Sequence, residues 1–462
     1  MCYTQGKDDH MKSSHLDEAL SLLNKVKGKE LSMPERKKLS MELAALMLDE
    51  SSKTMTHEEK KTQAQLAKLM QDPLGKPFTT ALTDQCFRSH SYWKTADKMI
   101  DLFNHVGIPQ YLNWTQRAEL LFFKSLNPSI AQALVPIVYH TMRKETERVI
   151  LPAEPSLLNR HIEERRKENV RLNINHLGEA ILSEAEAKRR LQLYLDDLQH
   201  PNIDYISIKI STIFSQINLL DFEGTLEKIS ERLKLLYRMA AQSSVTLPDG
   251  TKRARFVNLD MEEYRDLDLT VAAFKRVLSE EEFFSYSAGV VLQAYLPDSH
   301  NIQKDITEWA KERVAKGGAP VKLRIVKGAN LAMEQFEASL RGWQQAPYPC
   351  KVEVDANYKR MVLYGTLPEN AKAIRLGVAS HNLFDLAFAM LLRSERQVES
   401  YVGFEMLEGM ADHIRRVVQK LTGDVLLYCP VAKKEDFQHA IAYLIRRLDE
   451  NTGAENFLRH VF

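Results

Sequence analysis

The chain has little that would mark it for export, for a membrane or for nucleic acid. Its four cysteines, Cys2, Cys86, Cys350 and Cys429, are scattered without C-x-x-C spacing, which argues against a disulfide framework and a thiolate zinc site. A reducing cytoplasm fits that usage. Met1 to Asp9 is polar with no apolar segment of signal-peptide kind, and nowhere do about 18 consecutive apolar residues occur, so neither secretion nor membrane spanning is expected. Lys plus Arg (63) nearly cancels Asp plus Glu (62), and no basic block is interleaved with aromatics; the electrostatic footprint of a nucleic-acid binder is missing. No H-x-H pair or carboxylate cluster suggests a metal. No G-x-G-x-x-G follows an early strand, which disfavours an open dinucleotide-binding sheet.

What is present divides in two. Length (462 residues) allows two or three domains, or one barrel with an appended part. From Ser14 to about Lys167 the pattern is helical. Ser32-Met33-Pro34-Glu35 and Thr56-His57-Glu58-Glu59 are capping boxes that open two helices, because each hydroxyl accepts from the N3 amide while the Glu reaches back. Turns are expected at Asp72 to Pro77 and at Asn127-Pro128-Ser129. After Asn169 the grammar becomes strand, helix, strand. Strands are expected at Asn173 to Asn175, Tyr205 to Ile210, Arg255 to Asp260, Gly289 to Tyr295, Val321 to Lys327, Ile374 to His381, Tyr401 to Leu407 and Asp424 to Tyr428. Repeated strand-helix units give a parallel sheet, and this number suggests a closed (βα)8 barrel. The expected division is a helical region over 1–168 and a barrel over 169–462.

The polar residues of these strands fall into register. In Val321 to Asn330, Val321, Leu323 and Ile325 alternate with Lys322, Arg324 and Val326 before the run breaks at Gly328. Ile206, Ile208 and Ile210 share one face, which turns Lys209 inward if the apolar face packs on helices. The same parity groups Asn258 with Asp260 and places Gln293 inward; Arg324, His381 and Tyr428 lie at or near strand ends. Singly, each reads as a loop residue or a satisfied core hydrogen bond. Together they mark the C-terminal face of a barrel, where this fold builds active sites. Lys209, Arg324 and Lys327 with few carboxylates point to an anionic or electron-rich ligand.

A helix beginning near Glu435 carries an apolar stripe of Phe437, Ala440, Ile441, Leu444 and Leu448. Arg446 lies opposite the stripe and Arg447 on its flank. Periodicity leaves two readings: a solvated pair, or guanidinium forks over the barrel mouth that clamp a carboxylate.

The segments Ser207-Ile208-Lys209-Ile210-Ser211, Asn258 to Glu263, Leu292 to Tyr295, Arg324 to Ala329, Ser380-His381-Asn382, Tyr428-Cys429-Pro430-Val431 and Arg446 to Asn451 resemble, in order, those of the proline dehydrogenase family. The chain is most similar to the proline dehydrogenase part of bifunctional proline utilization A flavoenzymes, whose arm and α domain the helical half also resembles, through Phe78 to Asp84. That resemblance implies a distorted (βα)8 barrel holding FAD, which oxidises L-proline to 1-pyrroline-5-carboxylate and passes electrons to a membrane quinone. It implies that Arg446 and Arg447 bind the proline carboxylate, with Lys209 completing the cluster, Tyr428 on the ring and Asp260 as polar support. Arg324 would face the reactive edge of the flavin, and Glu179 would gate the second arginine. Gln293, Val326, Lys327, Gly328, Ala329, Ser380, His381, Asn382 and Glu450, with Asp260 and Arg324, match cofactor-contacting positions.

Three departures stand out. The family's Gly-Ala-Tyr-Trp is here Gly328-Ala329-Asn330-Leu331, so an aromatic cofactor contact is missing. Asn175 stands where some relatives carry Asp, and Ser380 where they carry Thr. The chain ends just after the barrel, which fits a single-activity enzyme or a piece of a bifunctional one, with a pyrroline-5-carboxylate dehydrogenase linked or separate. Cytoplasmic placement is expected, with peripheral membrane contact left open. The rivals are a flavin-free barrel for a phosphate-bearing ligand, a helical scaffold, and a relative acting on hydroxyproline.

Overall fold

The computed structural model describes residues 14–434, apart from 88, 90, 179, 180 and 248, together with 436, 440, 443, 447 and 457. Glu179, Arg446 and Glu450 lie outside the described residues. The barrel strands are β1 (Arg171–His176), β2 (Tyr205–Ile208), β3 (Phe256–Leu259), β4 (Gly289–Gln293), β5 (Lys322–Val326), β6 (Leu376–Ala379), β7 (Val402–Leu407) and β8 (Leu426–Ala432). Each pairs in parallel with the next, and β8 closes on β1 through Tyr428 opposite Asn173 and Pro430 opposite Asn175. The expected closed (βα)8 barrel is therefore present.

Alternation explains the faces. Ile206, Ile208, Leu323 and Ile325 are fully buried against the surrounding helices, while Ser207 and Arg324, of opposite parity, point into the barrel. The expected strand at Tyr205 to Ile210 stops at Ile208, because Lys209 precedes a short helix, Ile210–Ile213. In the other direction, β8 continues past Tyr428 through Pro430 to Ala432. An antiparallel hairpin that was not among the expected strands, Ser244–Thr246 with Lys252–Ala254, precedes β3; its turn carries Asp249-Gly250, with Gly250 at φ +82°.

The helical region has the expected capping boxes at Ser32 and Thr56. It is not one packing unit. Leu22, Leu23, Leu43 and Met47, on helices His15–Val26 and Met33–Lys53, belong to the same buried cluster as the barrel, and both helices pack on helix Leu383–Glu395. A separate apolar cluster around Phe78, Phe87, Phe103 and Phe123 holds the helices between residues 75 and 146 together, with the Phe78 and Phe103 rings stacked at 5.7 Å.

Candidate active site

The inward residues of β1, β2, β3, β5, β7 and β8 meet in one buried polar network. Asn173 Nδ2 donates to Ser207 Oγ at 3.0 Å, and Ser207 Oγ donates to Asp260 Oδ1 at 3.1 Å. Asn258 Nδ2 donates to the same Asp260 oxygen at 2.9 Å, while the Tyr428 hydroxyl donates to Asp260 Oδ2 at 2.7 Å. Burial raises the Asp260 carboxyl above the ordinary carboxylate range, and Arg324, Tyr428 and Lys209 pull against it. Burial, and then the Asp260 charge, holds the Tyr428 phenol well above its usual value; Tyr428 thus stays a donor. Arg324 lies 4.7 Å above the Tyr428 ring, with Nη1 3.7 Å from Asp260 Oδ1 and Nε 2.9 Å from Glu405 Oε2.

The cationic strand ends are compensated, contrary to the expectation of few carboxylates. Lys209 Nζ sits 2.6 Å from Glu262 Oε1. Lys327 Nζ sits between Asp355 Oδ1 at 2.5 Å and Asp385 Oδ2 at 2.6 Å. Lys322 and Arg324 share Glu405. These carboxylates come from a loop, two helices and a strand, so no single periodic scan collects them. A lone Glu inside Val402-Gly403-Phe404-Glu405-Met406-Leu407, and a lone Asp inside Leu383-Phe384-Asp385-Leu386-Ala387-Phe388, were the available signals.

Around the mouth the remaining expected residues take definite places. Gln293 is buried at the end of β4; its Nε2 donates to Met261 O at 3.2 Å and its Oε1 has no partner. Val326 ends β5. Gly328 follows at φ +109°, and a Cβ there would come within 2.0 Å of the Tyr295 ring, so only glycine fits that turn. Ala329 leads to Asn330, which bridges to the loop after β3 by donating to Glu262 O at 2.7 Å. Ser380, His381 and Asn382 precede helix Leu383–Glu395: Asn382 Oδ1 caps the Phe384 amide at 2.9 Å, and Ser380 Oγ accepts from the Asn382 amide at 3.0 Å.

His381 Nε2 accepts from the Leu407 amide at 2.9 Å, and its buried Nδ1 has no partner. Burial first, then Arg447 and His413, lower its pKa to about 4, so the ring is neutral at physiological pH. Arg447 stacks over Tyr443 at 4.9 Å. Tyr443 and Ala440 pack with Leu177 and Ala432 at the ends of β1 and β8, which brings this part of the C-terminal segment to the barrel mouth. A cavity of about 1130 Å3 lies beside the mouth, between the helical region and residues 408–413, a loop and the start of helix Asp412–Thr422; Arg447 and His413 line it, and Lys209, Arg324 and Lys327 do not. Among the described residues no group of three metal-ligating side chains occurs.

Comparison with known proteins gives the family and the fold. The sequence model described as proline dehydrogenase matches residues 158–460, and the chain belongs to the proline dehydrogenase family. Over 319 residues it is 25% identical to the bifunctional protein PutA of Salmonella typhimurium, an alignment that covers 63% of this chain and 22% of that one. Among solved structures, proline utilization A from Corynebacterium freiburgense is 44% identical with a TM-score of 0.63, over 70% of this chain and 32% of that one. Proline utilization A from Bdellovibrio bacteriovorus is 26% identical with a TM-score of 0.75, over 92% of this chain and 42% of its own. The chain thus spans less than half the length of these relatives.

Proposed function

We propose that this chain is an FAD-dependent L-proline dehydrogenase. The observation that carries the reading is the convergence of Asp260, just after β3, with Arg324 on β5 and Tyr428 on β8 of a proline dehydrogenase barrel, on one buried network. The strand ends fit a flavin nucleotide on independent grounds. His381 Nδ1 and Gln293 Oε1 are buried polar atoms without partners, the state expected of groups that await a ligand. Lys327, held by Asp355 and Asp385, is a donor at the end of β5 that a pyrophosphate oxygen could share, and Gly328 allows close backbone approach.

FAD, when bound, supplies the two-electron oxidation of proline to 1-pyrroline-5-carboxylate. The protein's part is to bind, orient and set the field. Arg446, Arg447 and Lys209 are assigned to the substrate carboxylate, Tyr428 to the ring, and Glu179 to gating the second arginine. Asp260 supports the site by holding the Tyr428 hydroxyl. Gln293, Arg324, Val326, Lys327, Gly328, Ala329, Ser380, His381, Asn382 and Glu450 are assigned to the cofactor. Electrons then leave to a quinone, and the product suits a pyrroline-5-carboxylate dehydrogenase, linked or separate. No described helix is long and apolar enough to cross a membrane; a cytoplasmic enzyme touching the membrane peripherally fits this reading. The division into a helical arm and α domain over 1–168 and a barrel over 169–462 belongs to the same proposal.

The test is the visible spectrum of the purified protein before and after anaerobic L-proline, with trans-4-hydroxy-L-proline alongside. Flavin bands that bleach with proline and weakly with hydroxyproline are expected. A colourless protein that takes up no FAD would overturn the reading.

A further inference from the structure

Glu405 is a carboxylate where an apolar residue would ordinarily stand. It lies on β7 and is 1% exposed. An isolated charge at that depth is strongly unfavourable, so its retention calls for partners. Both partners are on β5, one strand beyond the neighbouring β6: Lys322 Nζ at 2.6 Å from Oε1, and Arg324 Nε at 2.9 Å from Oε2. The carboxylate reaches across β6 at Gly377, where a Cβ would stand 2.3 Å from Oε1 and 3.0 Å from Lys322 Cε. Any side chain at Gly377 would close that path. On its far side Arg324 meets Asp260 and Tyr428. The guanidinium is therefore held between two carboxylates, Glu405 and Asp260, while Lys322 competes for the first.

We propose that Glu405 is a positioning residue for Arg324, aiming its guanidinium toward Asp260 and Tyr428 and, with Lys322, setting how much positive charge the barrel presents to the redox ring. This rests on the flavin reading above. Two cations, Lys322 and Arg324, face two carboxylates, Asp260 and Glu405, so each change of one charge unbalances the set in a known direction. In a buried site such charges are weakly screened and act strongly on one another.

The experiment measures the midpoint potential of bound FAD in the wild type and four variants, with thermal stability alongside. Glu405→Gln keeps the shape but leaves two cations facing one carboxylate; an upward shift is expected, since positive charge favours the electrons added on reduction. Lys322→Met frees Glu405 to neutralise Arg324 alone, and a downward shift is expected. The double variant E405Q/K322M should return toward the wild-type potential, a rescue that a merely structural role would not produce. Arg324→Met is the reference and should lower the potential. If Arg324→Met shifts the potential while Glu405→Gln and Lys322→Met leave it unchanged, the role of Glu405 is overturned and the flavin reading stands. If Glu405→Gln does not fold, the sign of the Lys322→Met shift decides alone. A wild type without flavin would overturn both.

Discussion

Every cation that would face a ligand at the strand ends already has a carboxylate at contact distance: Lys209 with Glu262, Lys327 with Asp355 and Asp385, Arg324 with Glu405. A buried charge without a partner would be costly, so these pairs let the site exist before a ligand arrives. Arg447 lies over an aromatic ring, lines the cavity beside the mouth and acts on His381. An arginine that binds a carboxylate by paired hydrogen bonds contributes about 1.5–3 kcal/mol. Arg447→Met should accordingly raise the KM for proline about 10- to 100-fold while FAD content stays at the wild-type level. Steady-state kinetics with a dye acceptor, together with the flavin-to-protein absorbance ratio, check this. Near-normal saturation by proline would return Arg447 to the solvated-face reading.

At the scale of elements, turns matter as much as strands. Gly328 ends β5 in a conformation that L side chains rarely adopt, with the Tyr295 ring where a Cβ would go. Gly328→Ala should cost roughly 1 kcal/mol or more, from the positive φ and the clash together. It should also lower FAD retention, because Lys327 and Ala329 would be displaced with it; urea midpoints and flavin content are the measurements. The barrel strands and their inward residues were legible because alternation is a local signal: Ser207, Asn258, Asp260 and Arg324 have the parity that their neighbours dictate. Lys209 was legible in direction, although the strand stops one residue before it. The counter-charges were not legible. Glu262, Asp355, Asp385 and Glu405 are brought to their cations by the closing of the barrel and by the packing of the long connection between β5 and β6, and neither leaves a periodic trace. Pro430 hid the second half of β8 for a related reason: a residue without an amide donor reads as a strand end, yet here it stands in register opposite Asn175.

At the scale of the molecule, buried or half-buried ion pairs tie the helical region to the barrel. Arg36, on the second helix, donates from Nε and Nη2 to both oxygens of Glu395 at 3.0 and 2.7 Å, and Glu395 also accepts the Leu31 amide. Both partners are buried. Glu395→Ala would leave the guanidinium uncompensated, and a loss of about 3–5 kcal/mol is expected, read as a fall in the urea midpoint. A milder clasp joins Glu59 on helix His57–Gln71 to Arg416 on helix Asp412–Thr422, at 2.7 Å. Partial burial pulls the Glu59 carboxyl up, but Arg416 and the Thr56 cap pull it down further, from the ordinary 4.5 to about 2. The folded state therefore holds this carboxylate ionised in a range where the unfolded chain takes up a proton. Its contribution is fully present above about pH 4.5 and is lost as the pH falls through about 2. Arg416→Met should be less stable than the wild type at neutral pH, with the two urea midpoints converging as the pH falls through that window. A difference that stays constant with pH would mean that Arg416 acts through packing rather than through its charge.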